Sequence, residues 1–242
     1  LGISNTYYTG NLKFSSEKFE VKEDAYNELK KIFKGRKVFL AASTHLGEEK
    51  LISDITNKIR EDKQEFIAII VPRHPNRRKL LDQMPNSKVV IRSANEQVDK
   101  STDIYLADTF GELGIFYKLA DFIFIGGSFV PHGGQNPIEA ARLGNRIIHG
   151  PNIENFTEVY DFIRKQGIST KIKYVKDLEN LIIKLYKKKN YSQQIIKKLA
   201  YTGNQILLNN EKEINKYYWF MNFKKPEFWD NSGSVSYTHL TL

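Results

Sequence analysis

The sequence predicts an α/β protein built on a doubly wound, Rossmann-like parallel sheet, and three observations carry that reading. Short apolar runs alternate with stretches of helical period along most of the chain, the pattern of strand and helix units joined by right-handed crossovers. Two of the runs, residues 66–71 and 122–125, are apolar at every position rather than at alternate ones, which suits strands covered on both faces. Polar clusters follow four of the strands at once: Ser43-Thr44-His45, Arg73-His74, residues 108–112 and residues 126–139. Ligands in this class bind beyond the C-terminal strand ends, so four clusters on one rim predict a site there.

Taken in order, residues 1–14 read as an extended lead-in broken at Thr9-Gly10. A helix over 23–33 carries Ala25, Leu29, Ile32 and Phe33 at helical spacing and stops at Gly35. A strand over 38–42 delivers Ser43-Thr44-His45 to a helix over 47–60, whose apolar stripe is Leu51, Ile52, Ile55 and Ile59. The strand 66–71 is followed by a helix over 76–84 with Arg77, Arg78 and Lys79. Strands over 88–91 and 103–107 flank a polar loop, and residues 108–112 lead into an apolar helix that ends near Ala120. After the strand 122–125 come a helix over 138–143, a strand over 146–149, the turn Gly150-Pro151 and a helix over 156–166. A last strand is expected over 172–175, then a lysine-rich helix over 178–189. Residues 191–222 read as mainly helical and end in the aromatic group Tyr217-Tyr218-Trp219-Phe220, which is expected to pack either on this domain or on one absent from the chain. Residues 226–242 read as a disordered or non-native tail.

At 242 residues and 40% hydrophobic composition the chain can bury a sizeable core. It holds no run of 18 apolar residues and no charged-then-apolar start, so the sequence shows neither a membrane-spanning helix nor a signal peptide. It starts with Leu rather than Met, and a missing N-terminal part is expected. Cysteine is absent, which excludes disulfides and thiolate metal sites. The net charge is +9, from 37 Lys+Arg against 28 Asp+Glu, with much of the excess over 171–198. That balance suits nucleic acid, an anionic membrane surface or a phosphorylated substrate, although a lysine run is by default a solvated helix face. A nucleic-acid interface would interleave basic and aromatic residues on one surface. Here Arg73 and the glycines fall on strand-end loops and the lysines on distant helices, so no nucleic acid is expected as a partner.

The densest chemistry lies over 121–139, where an apolar strand empties into a glycine-rich loop that opens a helix. With no Cβ at Gly126, Gly127, Gly133 and Gly134, backbone N–H groups can approach a ligand closely. Asn136 reads as an N-cap with Pro137 at the first helical position, so a helix N-terminus would face an anion such as phosphate. Glu139 would repel a phosphate and suits neutral ligand hydroxyls, such as those of a ribose; the plainer role is a first-turn acid complementing the helix dipole. His45, His74, His132 and His149 are too scattered along the chain for a metal-ligand spacing, and His149 reads as a structural strand-end residue.

Together, Thr9-Gly10-Asn11-Leu12-Lys13-Phe14, Ala42-Ser43-Thr44-His45 with Gly47-Glu48-Glu49, Pro72-Arg73-His74-Pro75, Asp108-Thr109-Phe110-Gly111-Glu112-Leu113, and Gly126-Gly127-Ser128 with Gly133-Gly134-Gln135-Asn136-Pro137-Ile138-Glu139 resemble the 3-deoxy-D-manno-octulosonic acid (Kdo) transferases of lipopolysaccharide biosynthesis. The resemblance spans residues 8–188 and implies the C-terminal, donor-binding domain of a GT-B glycosyltransferase, with 15–190 as the nucleotide-sugar-binding domain. It implies CMP-Kdo as donor, a lipid A precursor as acceptor, the cytoplasmic face of the bacterial inner membrane as location, and no cofactor or metal. By motif, Arg73 would contact the donor phosphate, and Gly111, Glu112, Gly134, Asn136 and Glu139 would line the nucleotide pocket. Ser43, Thr44 and His45 would face the transferred sugar. His74, Thr109, Gly126, Gly127, Ser128, Gly133 and Gln135 complete the implied donor-binding set. The family commonly has His where this chain has Gln135, and its general base is a Glu of the N-terminal domain that nothing in this chain matches. Two other readings stand beside this one: a different GT-B transferase or an epimerase using a UDP-sugar, and a non-catalytic module that binds nucleotides or anionic surfaces.

Overall fold

In a computed structural model of the chain, the described residues are 21–74, 80–186, 205–206 and 208–212. The chain divides into two compact units, Glu17–Ala200 and Leu1–Ser16 with Tyr201–Leu242. In the second, the described residues are helical. The lead-in, the tail, the aromatic group at 217–220, residues 76–79 of the helix expected over 76–84 and most of the helical stretch expected over 191–222 lie outside the described residues.

The larger unit is a seven-stranded, wholly parallel sheet in the order β3-β4-β2-β1-β5-β6-β7. The strands are β1 Lys37–Thr44, β2 Phe66–Pro72, β3 Val89–Ile91, β4 Ile104–Leu106, β5 Phe122–Ile125, β6 Ile147–His149 and β7 Ser169–Lys171. The helices are α1 Glu23–Ile32, α2 Glu48–Asp62, α3 Leu113–Leu119, α4 Ile138–Arg142, α5 Thr157–Lys165 and α6 Val175–Tyr186. β2 and β5 are buried at every position, as continuous apolar strands covered on both faces must be. One side of the sheet packs Phe39, Phe66, Phe122 and Phe124 against Ile52, Ile55 and Ile59 of α2 and against Leu178 and Ile182 of α6. Phe39 and Phe66 stack at 6.1 Å between centroids.

The last strand differs from expectation. It lies at Ser169–Lys171, and Val175 opens α6. Gly167, at φ 72°, turns the chain out of α5, and Ile168 N donates to Ile163 O at 2.9 Å, so pairing with β6 begins at once. Asp177 accepts from Tyr174 N at 2.9 Å and closes the first turn of the helix, a capping contact that outweighs the β-propensity of Tyr174 and Val175.

From β1 the chain passes to β2, on to the edge strand β3 and back to β4 between them, then crosses to β5 on the other side and out through β6 and β7. β1 and β5 are therefore the strands at which the winding reverses, and a crevice opens beyond their C-terminal ends. Ser43-Thr44-His45 and the loop starting at Gly126 occupy those two ends.

Candidate functional site

The ends of β1 and β5 approach so closely that a Cβ on Gly126 would lie 2.5 Å from Ser43 O and 2.6 Å from Thr44 Cα. Glycine is needed here for space. Ser43 takes φ 56°, where the register against β2 shifts between Ala42 and Thr44, and this irregularity turns the strand end toward the crevice. Into the gap comes Glu48, the first residue of α2, fully buried. Its carboxylate accepts from four backbone N–H groups: Gly127 at 2.7 Å, Ser128 at 3.1 Å, Phe129 at 3.0 Å and His45 at 3.0 Å. The donors expected to cradle a ligand phosphate at Gly127 and Ser128 thus already hold a carboxylate of the protein itself. Sequence reasoning missed Glu48, whose one signal was an acid in the first turn after a strand-end cluster, a place equally suited to complementing the helix dipole.

Several residues expected to meet the ligand instead build the loop. Ser128 is fully buried; its Oγ donates to Ile125 O at 2.6 Å and accepts from Gly150 N at 2.9 Å. Thr44 turns inward and donates to Glu49 Oε1 at 2.7 Å. Burial pushes the Glu49 carboxyl above the usual carboxylate range. Gly133 and Gly134 are buried, Gly133 backed by Asn155 and Gly134 by Asn152 and Ile153. Gly134 N donates to Gly127 O at 2.9 Å. Asn155 Nδ2 donates to His132 O and Asn152 Nδ2 to Val130 O, each at 2.9 Å, and the Tyr160 hydroxyl donates to Gln135 O at 3.0 Å. Beneath them His149 is buried against Tyr160 at 4.3 Å between centroids. Burial lowers its pKa to about 4, so it is neutral. A neutral ring donates from Nδ1 to Gly150 O at 2.8 Å, the structural role expected of it.

In front of the loop, the histidines that lie far apart in sequence come together. His45 and His132 have ring centroids 3.8 Å apart with planes tilted by 36°, and His74 stands edge-on to His45 at 6.2 Å. Gly127, at φ 67°, lies under both rings: a Cβ there would come within 3.2 Å of each. Gln135 Nε2 sits 3.1 Å from His45 Nε2. Arg73 N donates to Thr44 O at 2.9 Å, which fixes the exposed arginine at the β2 end beside the histidines. Burial lowers the His45 pKa, and His132, His74 and Arg73 add to the effect. Sequence spacing hid this group because its members sit on three different strand-end loops. Among the described residues no three His, Asp or Glu side chains are placed to hold a metal ion.

The 108–112 loop is clamped. Arg92, in the connection between β3 and β4, donates to both oxygens of Glu112, at 2.9 and 3.3 Å, and the Thr109 hydroxyl donates to the same carboxylate. Burial opposes it, but the bonds from Arg92 and Thr109 hold Glu112 below the usual carboxylate range. Asp108 accepts from the amide and hydroxyl of Ser93. Thr109 and Glu112 therefore fix each other, while Gly111 and Phe110 are left exposed, Phe110 at 82%. The cap falls one residue later than expected, at Pro137, with Asn136 Oδ1 before it accepting from Ile138 N at 3.1 Å, and α4 has only five residues, too short for a strong dipole site. Glu139 is half-buried, and burial pushes its carboxyl up, with Arg142 pulling the other way. A further groove of about 390 Å³ runs between α2 and α6, lined by Gly47, Lys50, Asp54, Lys58, Val175 and Glu179 among others.

A doubly wound parallel sheet with its polar loops gathered where the winding reverses is a Rossmann-type α/β domain. No protein-family model matches the chain. It is 35% identical over 222 residues to the 3-deoxy-D-manno-octulosonic acid transferase of Rickettsia typhi, covering 90% of this chain and 47% of that protein. It is 29% identical over 213 residues to the transferase of Haemophilus influenzae, covering 86% and 49%. Among solved structures it matches the C-terminal CMP-Kdo binding domain of WaaA from Acinetobacter baumannii with a TM-score of 0.64 at 25% identity, over 76% of this chain and 96% of that one. The chain is a homologue of the Kdo transferases and matches the C-terminal, GT-B half of that family. It spans about half the length of the curated relatives it matches.

Proposed function

We propose that this chain binds CMP-Kdo at the rim where β1 and β5 end, and supplies the donor-binding half of an enzyme that transfers Kdo to a lipid A precursor. The observation that carries this reading is the match over 96% of a solved CMP-Kdo binding domain, in a chain whose rim exposes Arg73, His74 and His132. Arg73 is the phosphate contact: its backbone bond to Thr44 sets the residue at the end of β2, and its guanidinium can present a planar fork to two oxygens. Glu139 meets the ribose hydroxyls. The departing nucleotide's charge is met by Arg73, the assistance a phosphate leaving group needs.

The acceptor surface and the general base belong to the other half of the transferase. The isolated chain then binds nucleotide without turnover, and Kdo transfer by the chain alone would refute that division of labour. Work on a lipid A precursor places the enzyme at the cytoplasmic face of the inner membrane, held there peripherally or through its other half; among the described residues no helix is long and apolar enough to cross a membrane.

Thermal unfolding of the 242-residue chain against CMP, UMP, AMP and GMP tests the donor. Ligand at a hundred times its dissociation constant adds about 2.7 kcal/mol, a rise of roughly 5 to 10 °C for a domain of this size. The expected result is a rise with CMP that Glu139→Ala abolishes. A preference for UMP would favour a UDP-sugar enzyme of the same fold.

A further inference from the structure

The stacked pair His45–His132 has an electrostatic peculiarity. Two imidazolium rings with centroids 3.8 Å apart repel each other, and Arg73 and His74 at the end of β2 add to that repulsion. Glu48 at the start of α2 bonds the His45 amide, but its carboxylate is already shared among the N–H groups of His45, Gly127, Ser128 and Phe129. From the 126–137 loop the side chain in contact is Gln135, and from the connection after β6 it is Asn155, bonded to His132 O; both are neutral. Gln135 Nε2 lies 3.1 Å from His45 Nε2; an amide nitrogen can only donate, so in this arrangement it meets the lone pair of His45 Nε2.

An oxyanion at the pair reverses this balance, since it attracts charge on both rings instead of leaving them to repel. Gln135 can follow, because turning its amide presents Oε1 to a protonated Nε2. Gln135 thus serves either protonation state of His45.

We infer that His132, face to face with His45, completes an oxyanion subsite that takes up protons as it binds. The inference rests on the donor reading above and adds to it a residue, His132, and a coupling between binding and protonation. The donor carries two candidate oxyanions, the nucleotide phosphate and the carboxylate of the sugar acid, and both share the required chemistry.

The test is NMR titration of the histidine side chains of the whole chain, alone and with CMP, free Kdo, inorganic phosphate or cytidine. His132→Gln assigns the partner resonance. A phosphate monoester has its own ionisation near pH 6, so the ring resonances rather than the affinity are read. CMP or Kdo is expected to raise the His45 and His132 pKa values by about one unit, whichever does so identifying the oxyanion, with cytidine inert. In His132→Gln the affinity for that ligand at pH 7 should fall about tenfold, the loss of one charge-assisted hydrogen bond. If inorganic phosphate moves both rings and CMP and Kdo do no more than phosphate does, the subsite stands and the donor reading falls. CMP that binds, seen as shifts around Glu139, while neither CMP nor Kdo moves the two rings would overturn the inference and leave the donor reading intact. Binding by none of the probes would overturn both.

Discussion

At the N-terminal ends of the strands, Arg36 donates to the carbonyls of Glu65, Phe66, Thr102 and Asp99, and Arg60 donates to Gln64, Phe66 and Lys100 while pairing with Asp103 at 2.5 Å. Asp121 ties Lys37 and the Val38 amide, and Asp103 accepts from the Lys88 amide. At the C-terminal ends, by contrast, Arg73, His74 and His132 stand exposed around a half-buried His45. The same residue types are spent on backbone carbonyls at one rim and presented to solvent at the other. The lower rim holds the strands in register, and the upper rim is where the donor is proposed to bind. What keeps the upper rim in shape lies one layer beneath it, in Glu48 and the side chains of Asn152, Asn155 and Tyr160, so mutations should separate three behaviours: collapse, acid sensitivity and loss of binding.

Glu48→Ala should be the most damaging. It leaves the buried N–H groups of Gly127 and Ser128 without an acceptor, each costing about 1–3 kcal/mol, and removes a charge-assisted network in the same step. A loss of about 4 kcal/mol in urea unfolding is expected, together with loss of nucleotide binding. If stability moved by less than about 1 kcal/mol, the carboxylate would not be what holds the loop.

His149 should make the domain acid-sensitive. Its ordinary pKa of 6.5 falls to about 4 in the folded chain, so as pH drops below 6.5 the unfolded chain takes up the proton first. Stability present at neutral pH is therefore lost between pH 6.5 and about 4, by about 3 kcal/mol at most. Glu49 acts in the opposite sense. Its carboxyl is pushed above the ordinary 4.5, so its contribution is present below that value and fades as pH rises through the folded pKa. Glu49→Gln should raise stability at pH 7 and steepen the acid loss, whereas His149→Gln should flatten it whatever its cost at pH 7. Unfolding midpoints at half-unit steps of pH distinguish the two, and an unchanged slope in His149→Gln would count against the buried neutral ring.

Much of the sheet was legible because its strands announce themselves: a run such as Phe122-Ile-Phe-Ile125, apolar throughout and stopped by two glycines, leaves little else to form. The strand-end rim followed from the alternation of elements. The partition of residues within the rim was not legible. Thr44, Ser128 and Glu112 carry the same chemistry whether they face a ligand or a neighbouring loop, and only the approach of β1 to β5 at Gly126 decides that Ser128 turns inward. Glu48 escaped for the same reason: its four donors lie on two loops, three of them about 80 residues further along the chain. β7 was misplaced because the signals that start α6, Asp177 and the turn before it, act locally against apolar residues that suit a strand equally well.

The contrast between the rims is sharpest in a paired exchange of its two best-placed arginines. Arg60→Met keeps the aliphatic stem and removes three carbonyl contacts and the ion pair with Asp103, whose side chain remains only 19% exposed. Phe66 O keeps Arg36 and Asp103 keeps the Lys88 amide, but losing the buried charge's partner and the other two carbonyl contacts should still cost about 2 kcal/mol of stability, with nucleotide affinity unchanged because the proposed donor site lies at the opposite edge. Arg73→Met should do the reverse, shifting stability by less than about 0.5 kcal/mol, as exposed substitutions do, and weakening CMP roughly a hundredfold through lost charge-assisted hydrogen bonds. Urea midpoints and CMP titrations on both variants read the two effects independently. Equal loss of binding in both would mean that the lower rim sets the crevice shape through the strands, and the division between a rim for folding and a rim for binding would have to be abandoned.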